Sequence, residues 1–354
     1  MCNWGLTLKQ SSAVHIQALY PADVILLGSS SKLRLLVINL ASVPGGQLVN
    51  SPTAQSLERW LLLFKPAQFS ERIKMNKFFI RYFFLLACML VANSISAQEF
   101  MPINGNQIQY EKKGTGQPAV IFVAGYGGPL ASFDSVFDKV SKFTTAIRYS
   151  RAGLGNSSYA NKNKDFDTIV YELESLINAL NIQQPFVLVG HSYGGLIIRS
   201  YAKRHPSKIA GLLFDDATFE DYFNRLTPLK INAESLELKG HDIVIKKYPS
   251  QARDDEFKSL WKVWNSPDEW KKWFEPMPSV PTVVLTSMKI ADSSLRANQQ
   301  LMDARYLAQS QWTKNKPFSM QIGVSNAGHF IHKDTPSIFV ESVAMLLIAI
   351  RQKK

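Results

Sequence analysis

The sequence predicts an α/β domain, and three observations carry that reading. Short apolar runs alternate with helical patterns from Gln98 to Lys354, the rhythm of a mostly parallel sheet flanked by helices. One run, Pro185-Phe186-Val187-Leu188-Val189, leads through Gly190-His191-Ser192-Tyr193-Gly194 directly into a helical pattern. A charged, tryptophan-rich stretch of 64 residues, Ala217 to Val280, interrupts the alternation once and reads as a helical insertion.

Residues 1–97 do not share this rhythm. Met75-Asn76-Lys77 opens a short basic segment, Phe78 to Val91 is almost wholly apolar with Arg81 near its start, and Ser94-Ile95-Ser96-Ala97 supplies small residues before Gln98. That order is a secretory signal with cleavage after Ala97, and it predicts an exported protein, periplasmic or extracellular. A membrane anchor is the competing reading. Leu85-Leu86-Ala87-Cys88 also fits a lipoprotein box, although the apolar run continues past Cys88. Because a signal works at an N-terminus, residues 1–74 read as an extension from a start codon placed too far upstream. The alternative is a genuine extension whose apolar runs, such as Val24 to Leu27 and Leu61 to Phe64, form short strands or helices.

The composition depends on this division. Of 354 residues, the first 97 hold 9 of the 40 Lys and Arg and 3 of the 28 Asp and Glu, so removing them lowers the net charge from +12 to +6. With no dense basic run, that charge makes no case for nucleic-acid binding. Both cysteines, Cys2 and Cys88, lie in the removed part, so residues 98–354 offer no disulfide, cysteine nucleophile or cysteine-ligated metal.

Within the domain, Asn104-Gly105 between Phe100–Ile103 and Gln107–Tyr110 predicts a hairpin. Ala119–Val123 and Thr145–Tyr149 read as buried strands. Ile169, Leu173, Leu176, Ile177 and Leu180 fall on one helical face and lead into the strand before Ser192. Leu196, Ile197 and Tyr201 line the next helix, which ends near His205-Pro206. Ile209–Phe214, Thr282–Leu285 and Ser319–Val324 supply further strands, and Ile338–Ile350 the terminal helix. The insertion, residues 217–280, follows the sixth strand and is placed to cover Ser192 as a lid. Its Trp261/Trp264 and Trp270/Trp273 pairs, on either side of Ser266-Pro267, either anchor the lid's own core or meet a ligand.

Gly-x-Ser-x-Gly between strand and helix is a nucleophile elbow, a turn too crowded for side chains at its glycines. A serine there needs a base within hydrogen-bond reach. His329, in Asn326-Ala327-Gly328-His329-Phe330 after the last strand, is the candidate; His332 competes but reads as part of the turn into the terminal helix. His191 lies inside the elbow and is expected to point away from the cleft, and His241 lies in the lid. A carboxylate must orient the base. Asp216, at the end of the sixth strand, is preferred over Asp292, which follows the seventh. Two backbone amides would hold the oxyanion: that of Tyr193, next to the nucleophile, and that of Tyr126 in the loop Ala124-Gly125-Tyr126-Gly127-Gly128-Pro129. The same loop lacks the Gly-Lys-Ser/Thr of a phosphate cradle.

Taken together, the elbow, Ser150-Arg151-Ala152-Gly153-Leu154-Gly155-Asn156-Ser157, His205-Pro206 and Gly328-His329-x-x-His332-x-Asp334-x-Pro336 resemble the α/β-hydrolase superfamily, in the branch with a lid after the sixth strand. The likeness runs from about Tyr110 to Val343. Two positions depart from it: Ala124 stands where the family has histidine, and the seventh-strand acid is displaced to Asp292. The resemblance implies a three-layer fold and a serine hydrolase that cleaves an ester, thioester or amide-type acyl bond through an acyl-enzyme. It implies no metal or organic cofactor, and Ser192 excludes an aspartate nucleophile. Perhydrolysis and carbon–carbon cleavage use the same triad. Lid aromatics favour a small, partly apolar acyl substrate, and the sequence is silent on oligomeric state. A ligand-binding or sensing protein on the same fold is the alternative, but it has no need of the Ser192 and His329 pair.

Overall fold

The computed structural model describes residues 24–29, 32–37, 99–219, 233–289 and 296–352. The chain divides into two units, Met1–Ser94 and Ile95–Lys354. In the first, Val24–Ser29 pairs antiparallel with Lys32–Val37, so the apolar run at Val24 is a strand of a hairpin. The segment read as a signal, residues 75–97, and the run Leu61 to Phe64 lie outside the described residues. Among the described residues no helix is long and apolar enough to cross a membrane.

The second unit is built on eight strands: β1 (Glu99–Ile103), β2 (Asn106–Lys113), β3 (Val120–Val123), β4 (Ala146–Tyr149), β5 (Phe186–His191), β6 (Ile209–Asp215), β7 (Thr282–Ser287) and β8 (Met320–Val324). Their spatial order is β8-β7-β6-β5-β3-β4-β2-β1. β1 and β2 are antiparallel, β2 also meets β4 antiparallel, and the other pairings are parallel. The β1–β2 turn is the expected one, with Asn104 and Gly105 both at positive φ, 50° and 76°.

Side-chain alternation divides the sheet's two faces between separate cores. Ile121, Val123, Leu188, Leu212 and Phe214 pack with α2 (Phe166–Ala179) and α3 (Tyr193–Arg204). Val120, Phe122, Val187, Val189 and Leu213 pack with α1 (Phe137–Val140) and the terminal helix Pro336–Gln352. Helices on both faces make three layers, as expected. Asp165 starts α2 by accepting a hydrogen bond from the Thr168 amide at 2.8 Å, which fills one of the free donors of a helix N-terminus.

Between β6 and β7 the insertion forms α4 (Ala233–Lys247), α5 (Gln251–Trp264) and α6 (Pro267–Phe274). After β7 come α7 (Arg296–Ser310) and, beyond β8, the single turn α8 (Ile331–Asp334) before α9 (Pro336–Gln352). The register brings the strand ends together: Val123 pairs with Gly190, His191 with Asp215, Asp215 with Leu285, and Val324 with Ser287. The loops after β3, β5, β6 and β8 therefore leave the same edge of the sheet.

Candidate active site

Ser192 links β5 to α3 with φ 50° and ψ −120°, a conformation that non-glycine residues adopt only when their surroundings impose it. The surroundings do so through backbone bonds: Ser192 N donates to Asp215 O at 3.1 Å, and Ser192 O accepts from Gly195 N at 2.9 Å and Thr218 N at 3.1 Å. The flanking glycines are required by space. A Cβ on Gly194 would lie 2.1 Å from Val123 O, and one on Gly190 would lie 2.7 Å from Gly194 O. The elbow is thus wedged against β3 by backbone alone.

Asp216 follows β6 and also has positive φ, 42°. That turn delivers its carboxylate, fully buried, to His329: Oδ2 lies 2.7 Å from Nδ1. The same oxygen accepts from Arg305 Nη1 at 2.9 Å, and Oδ1 accepts from the Ser287 amide at 3.1 Å. Burial alone would raise the Asp216 pKa, but Arg305 and the hydrogen bond from His329 hold it below the usual carboxylate range. Asp292 lies outside the described residues.

A cavity of about 270 Å³ collects the expected residues. Ser192, His329, Asp216, Gly125 and Tyr126 line it from the sheet edge, and Glu237, His241, Phe257 and Trp264 from the insertion. The insertion is therefore a lid. Of its four tryptophans only Trp264 reaches the cavity; Trp270 and Trp273 are buried in the apolar core, and Trp261 packs against it. Among the described residues the Ser192 hydroxyl makes no hydrogen bond to His329; the two share a cavity wall, an arrangement common before substrate tightens a serine–histidine pair.

Of the two oxyanion candidates, Tyr126 lines this cavity and Tyr193 directly follows Ser192. Tyr193 opens α3, where a helix N-terminus leaves its amide without an intrahelical acceptor. Among the described residues neither the Tyr126 nor the Tyr193 amide donates to a loop carbonyl. Gly125 must be glycine because a Cβ there would sit 2.8 Å from His191 Nδ1 and 3.1 Å from Ser192 Cβ. The Tyr126 hydroxyl meets His241 Nδ1 at 2.7 Å, and burial pushes its pKa up. His241 stacks on Phe257 at 3.9 Å and places Nε2 3.2 Å from Asp254 Oδ1.

Two further histidines pack around the site, and one of them differs from the sequence-based expectation. His191 does not turn away from the site: it lies buried against it, with Nε2 2.9 Å from His329 O and its ring 4.8 Å from that of His329. Burial, with His329 and His332 nearby, lowers its pKa well below the usual histidine value. His332 lies in the turn before the terminal helix, as expected, but its side chain is fully buried there and bonded through Nδ1 to Asp215 Oδ2, which the sequence did not foretell. His191, Asp215 and His332 form a tight cluster behind His329.

The family model for the alpha/beta hydrolase fold matches residues 118–235, from β3 through the elbow into the lid. A haloalkane dehalogenase loop variant, DbeA-M1 from Bradyrhizobium elkanii, superposes with a TM-score of 0.58 at 15% identity, covering 73% of this chain and 98% of that one. The chain has the α/β-hydrolase fold. A structure of a lipase (lip1) from Acinetobacter baumannii AYE, described as putative, superposes with a TM-score of 0.54 at 16% identity, covering 73% of this chain and 93% of that one. Among curated sequences, the uncharacterized protein YqjL of Bacillus subtilis is 27% identical over 232 residues, 64% of this chain and 82% of that protein. The cis-3-alkyl-4-alkyloxetan-2-one decarboxylase of Shewanella oneidensis is 29% identical over 126 residues, only 37% of its length.

Proposed function

We propose that this α/β-hydrolase is a serine hydrolase that cleaves an acyl bond of the ester, thioester or amide type. The observation that carries the reading is the Asp216–His329 pair, 2.7 Å apart, on the wall of the cavity that also holds Ser192. In the proposed cycle His329 removes the Ser192 proton as the hydroxyl attacks the carbonyl carbon. Asp216 fixes the imidazole tautomer and stabilises the imidazolium. The tetrahedral oxyanion is held by the amides of Tyr193 and Tyr126. Collapse expels the leaving group with the proton returned by His329. Water then repeats the sequence on the acyl-enzyme and frees the acid.

The cavity supports a small, partly apolar substrate, since Phe219, Phe257, Leu260 and Trp264 line it beside the polar groups. The test is hydrolysis of p-nitrophenyl acetate together with labelling by a fluorophosphonate probe. The full chain should incorporate one probe per molecule, and Ser192→Ala should lose both label and turnover. Folded wild-type protein that takes no label contradicts the proposal. Export is proposed from the Met75–Ala97 pattern alone. N-terminal sequencing of protein from the cell envelope checks it: a start at Gln98 supports export, and intact residues 75–97 oppose it.

A further inference from the structure

The loop that offers Tyr126 is held from the lid by a buried ion pair that the proposed chemistry does not use. Glu256, on α5, is fully buried. Its Oε1 accepts from Arg151 Nε at 2.7 Å, and its Oε2 accepts from Arg151 Nη2 at 2.9 Å and from the Gly127 amide at 2.7 Å. Arg151, also buried, donates onward from Nη1 to Ala124 O and from Nη2 to Gly125 O, both at 2.7 Å. Lys164 Nζ lies 3.5 Å from Glu256 Oε1 and adds a second cation.

The geometry of the peptide unit gives these bonds a catalytic meaning. In a trans peptide the C=O and the following N–H point in opposite directions within one plane. The carbonyl of Gly125 and the amide of Tyr126 belong to the same unit. Anchoring Gly125 O to Arg151 therefore fixes which way the Tyr126 N–H points. The next unit joins Tyr126 to Gly127, and its amide is anchored to Glu256. Both peptide planes that flank Tyr126 are thus set by one fork-on-fork pair. The loop supplies one bond of its own, from Gly128 N to Gly125 O at 3.0 Å, but with glycine at 125, 127 and 128 its backbone torsions are otherwise weakly restrained, and the ion pair adds the remaining anchors.

We infer that Glu256 is a positioning residue: acting through Arg151 and the Gly127 amide, this lid carboxylate aims the Tyr126 N–H at the substrate oxyanion, so that the oxyanion hole is complete only with α5 in place. The inference rests on the serine-hydrolase reading above. Arg151 also holds the start of the loop through the Ala124 carbonyl. Neighbouring lid groups reinforce the grip, with Arg253 Nε donating to Gly127 O at 3.3 Å and His241 bonded to the Tyr126 hydroxyl.

The test is Glu256→Gln in the full chain, an isosteric change that removes the charge and one acceptor oxygen. Loss of one aimed amide predicts a fall in kcat of about 10- to 100-fold, somewhat less than deletion of a donor, with KM within about threefold. A trifluoromethyl ketone inhibitor, whose adduct carries the oxyanion, should weaken by the same factor as kcat, while fluorophosphonate still reaches one label per chain. Arg151→Lys should behave alike, because one ammonium cannot span two carbonyls and a carboxylate. Unchanged kcat and inhibitor affinity in a folded Glu256→Gln variant, with only a lowered Tm, would overturn the inference and leave a purely structural ion pair. Failure of the wild-type chain to hydrolyse or to label is a separate outcome that removes the serine-hydrolase reading itself. Should the variants not fold, hydrogen exchange on the wild type decides: the Gly127 amide should be as protected as those of α5, and exchange at loop rates contradicts the clasp.

Discussion

Asp215 and Asp216 are neighbours in sequence, each paired through Oδ2 with the Nδ1 of a histidine, yet the two pairs occupy different worlds. Asp216 meets His329, whose side chain is 43% exposed and lines the cavity; Asp215 meets His332, and both are fully buried, with Phe133, Phe339 and His191 packed around His332. Asp215 ends β6, whereas the positive φ of Asp216, 42°, turns it out of the strand, so one step along the chain separates a pair on the cavity wall from a sealed one. Their acidities separate too. Arg305 and His329 hold Asp216 low, whereas burial pushes Asp215 up despite its His332 partner. The lesson is that a histidine–carboxylate pair is a base only where its free nitrogen reaches a reacting atom.

The sharpest way to break this contrast is to remove each acid in turn. Asp216→Asn should cut kcat by about four orders of magnitude, through the wrong imidazole tautomer, and also lower Tm, because Arg305 loses its buried anionic partner. Asp215→Ala should instead keep kcat within tenfold but cost about 3–5 kcal/mol of stability, since it leaves a buried histidine without its partner. Steady-state kinetics with thermal melts of both variants read this directly. Equal losses of activity would erase the distinction.

A smaller effect comes with acid. Buried beside Arg151 and Lys164, Glu256 has its pKa lowered from the ordinary 4.5 to about 2, despite a desolvation cost that acts the other way. A depressed folded-state value stabilises the fold above pH 4.5, and that contribution, about 3 kcal/mol, is lost as pH falls from 4.5 towards 2. Asp216 is depressed and adds to the loss; Asp215 is raised, so its protonation on acidification relieves the fold and opposes it. Denaturant midpoints between pH 6 and 3 should fall in the wild type and fall less steeply in Glu256→Gln. Parallel curves would contradict the assignment.

The smallest expected difference lies within the lid. Trp264→Leu, at the cavity wall, should raise KM for longer acyl chains by a few fold, about 1 kcal/mol of lost contact. Trp273→Leu, in the core, should lower Tm and leave chain-length preference unchanged.

Much of this arrangement was legible before any coordinates, because local signals mark it. The elbow pentapeptide, the Asn104-Gly105 hairpin and the strand-ending runs each depend on residues close in sequence, and the structure forms each of them. The orientation of His191 and the burial of His332 were not legible, since both depend on the packing of β5, β6 and α8 against one another. Arg151 carried a signal in the Ser150–Ser157 turn, but its partner did not: Glu256 is the last of three consecutive acids, Asp254-Asp255-Glu256, and nothing local marks the one that turns inward. Arg305 was missed for the same reason, arriving at Asp216 from a helix 89 positions away.

The most direct test of the central claim is the site and rate of fluorophosphonate labelling, mapped by peptide mass spectrometry in the wild type, His329→Ala and Asp215→Asn. The account predicts a single label on Ser192, slowed by at least a thousandfold in His329→Ala and kept near the wild-type rate in Asp215→Asn. A label on another residue, or rates on Ser192 that do not depend on His329, would contradict it.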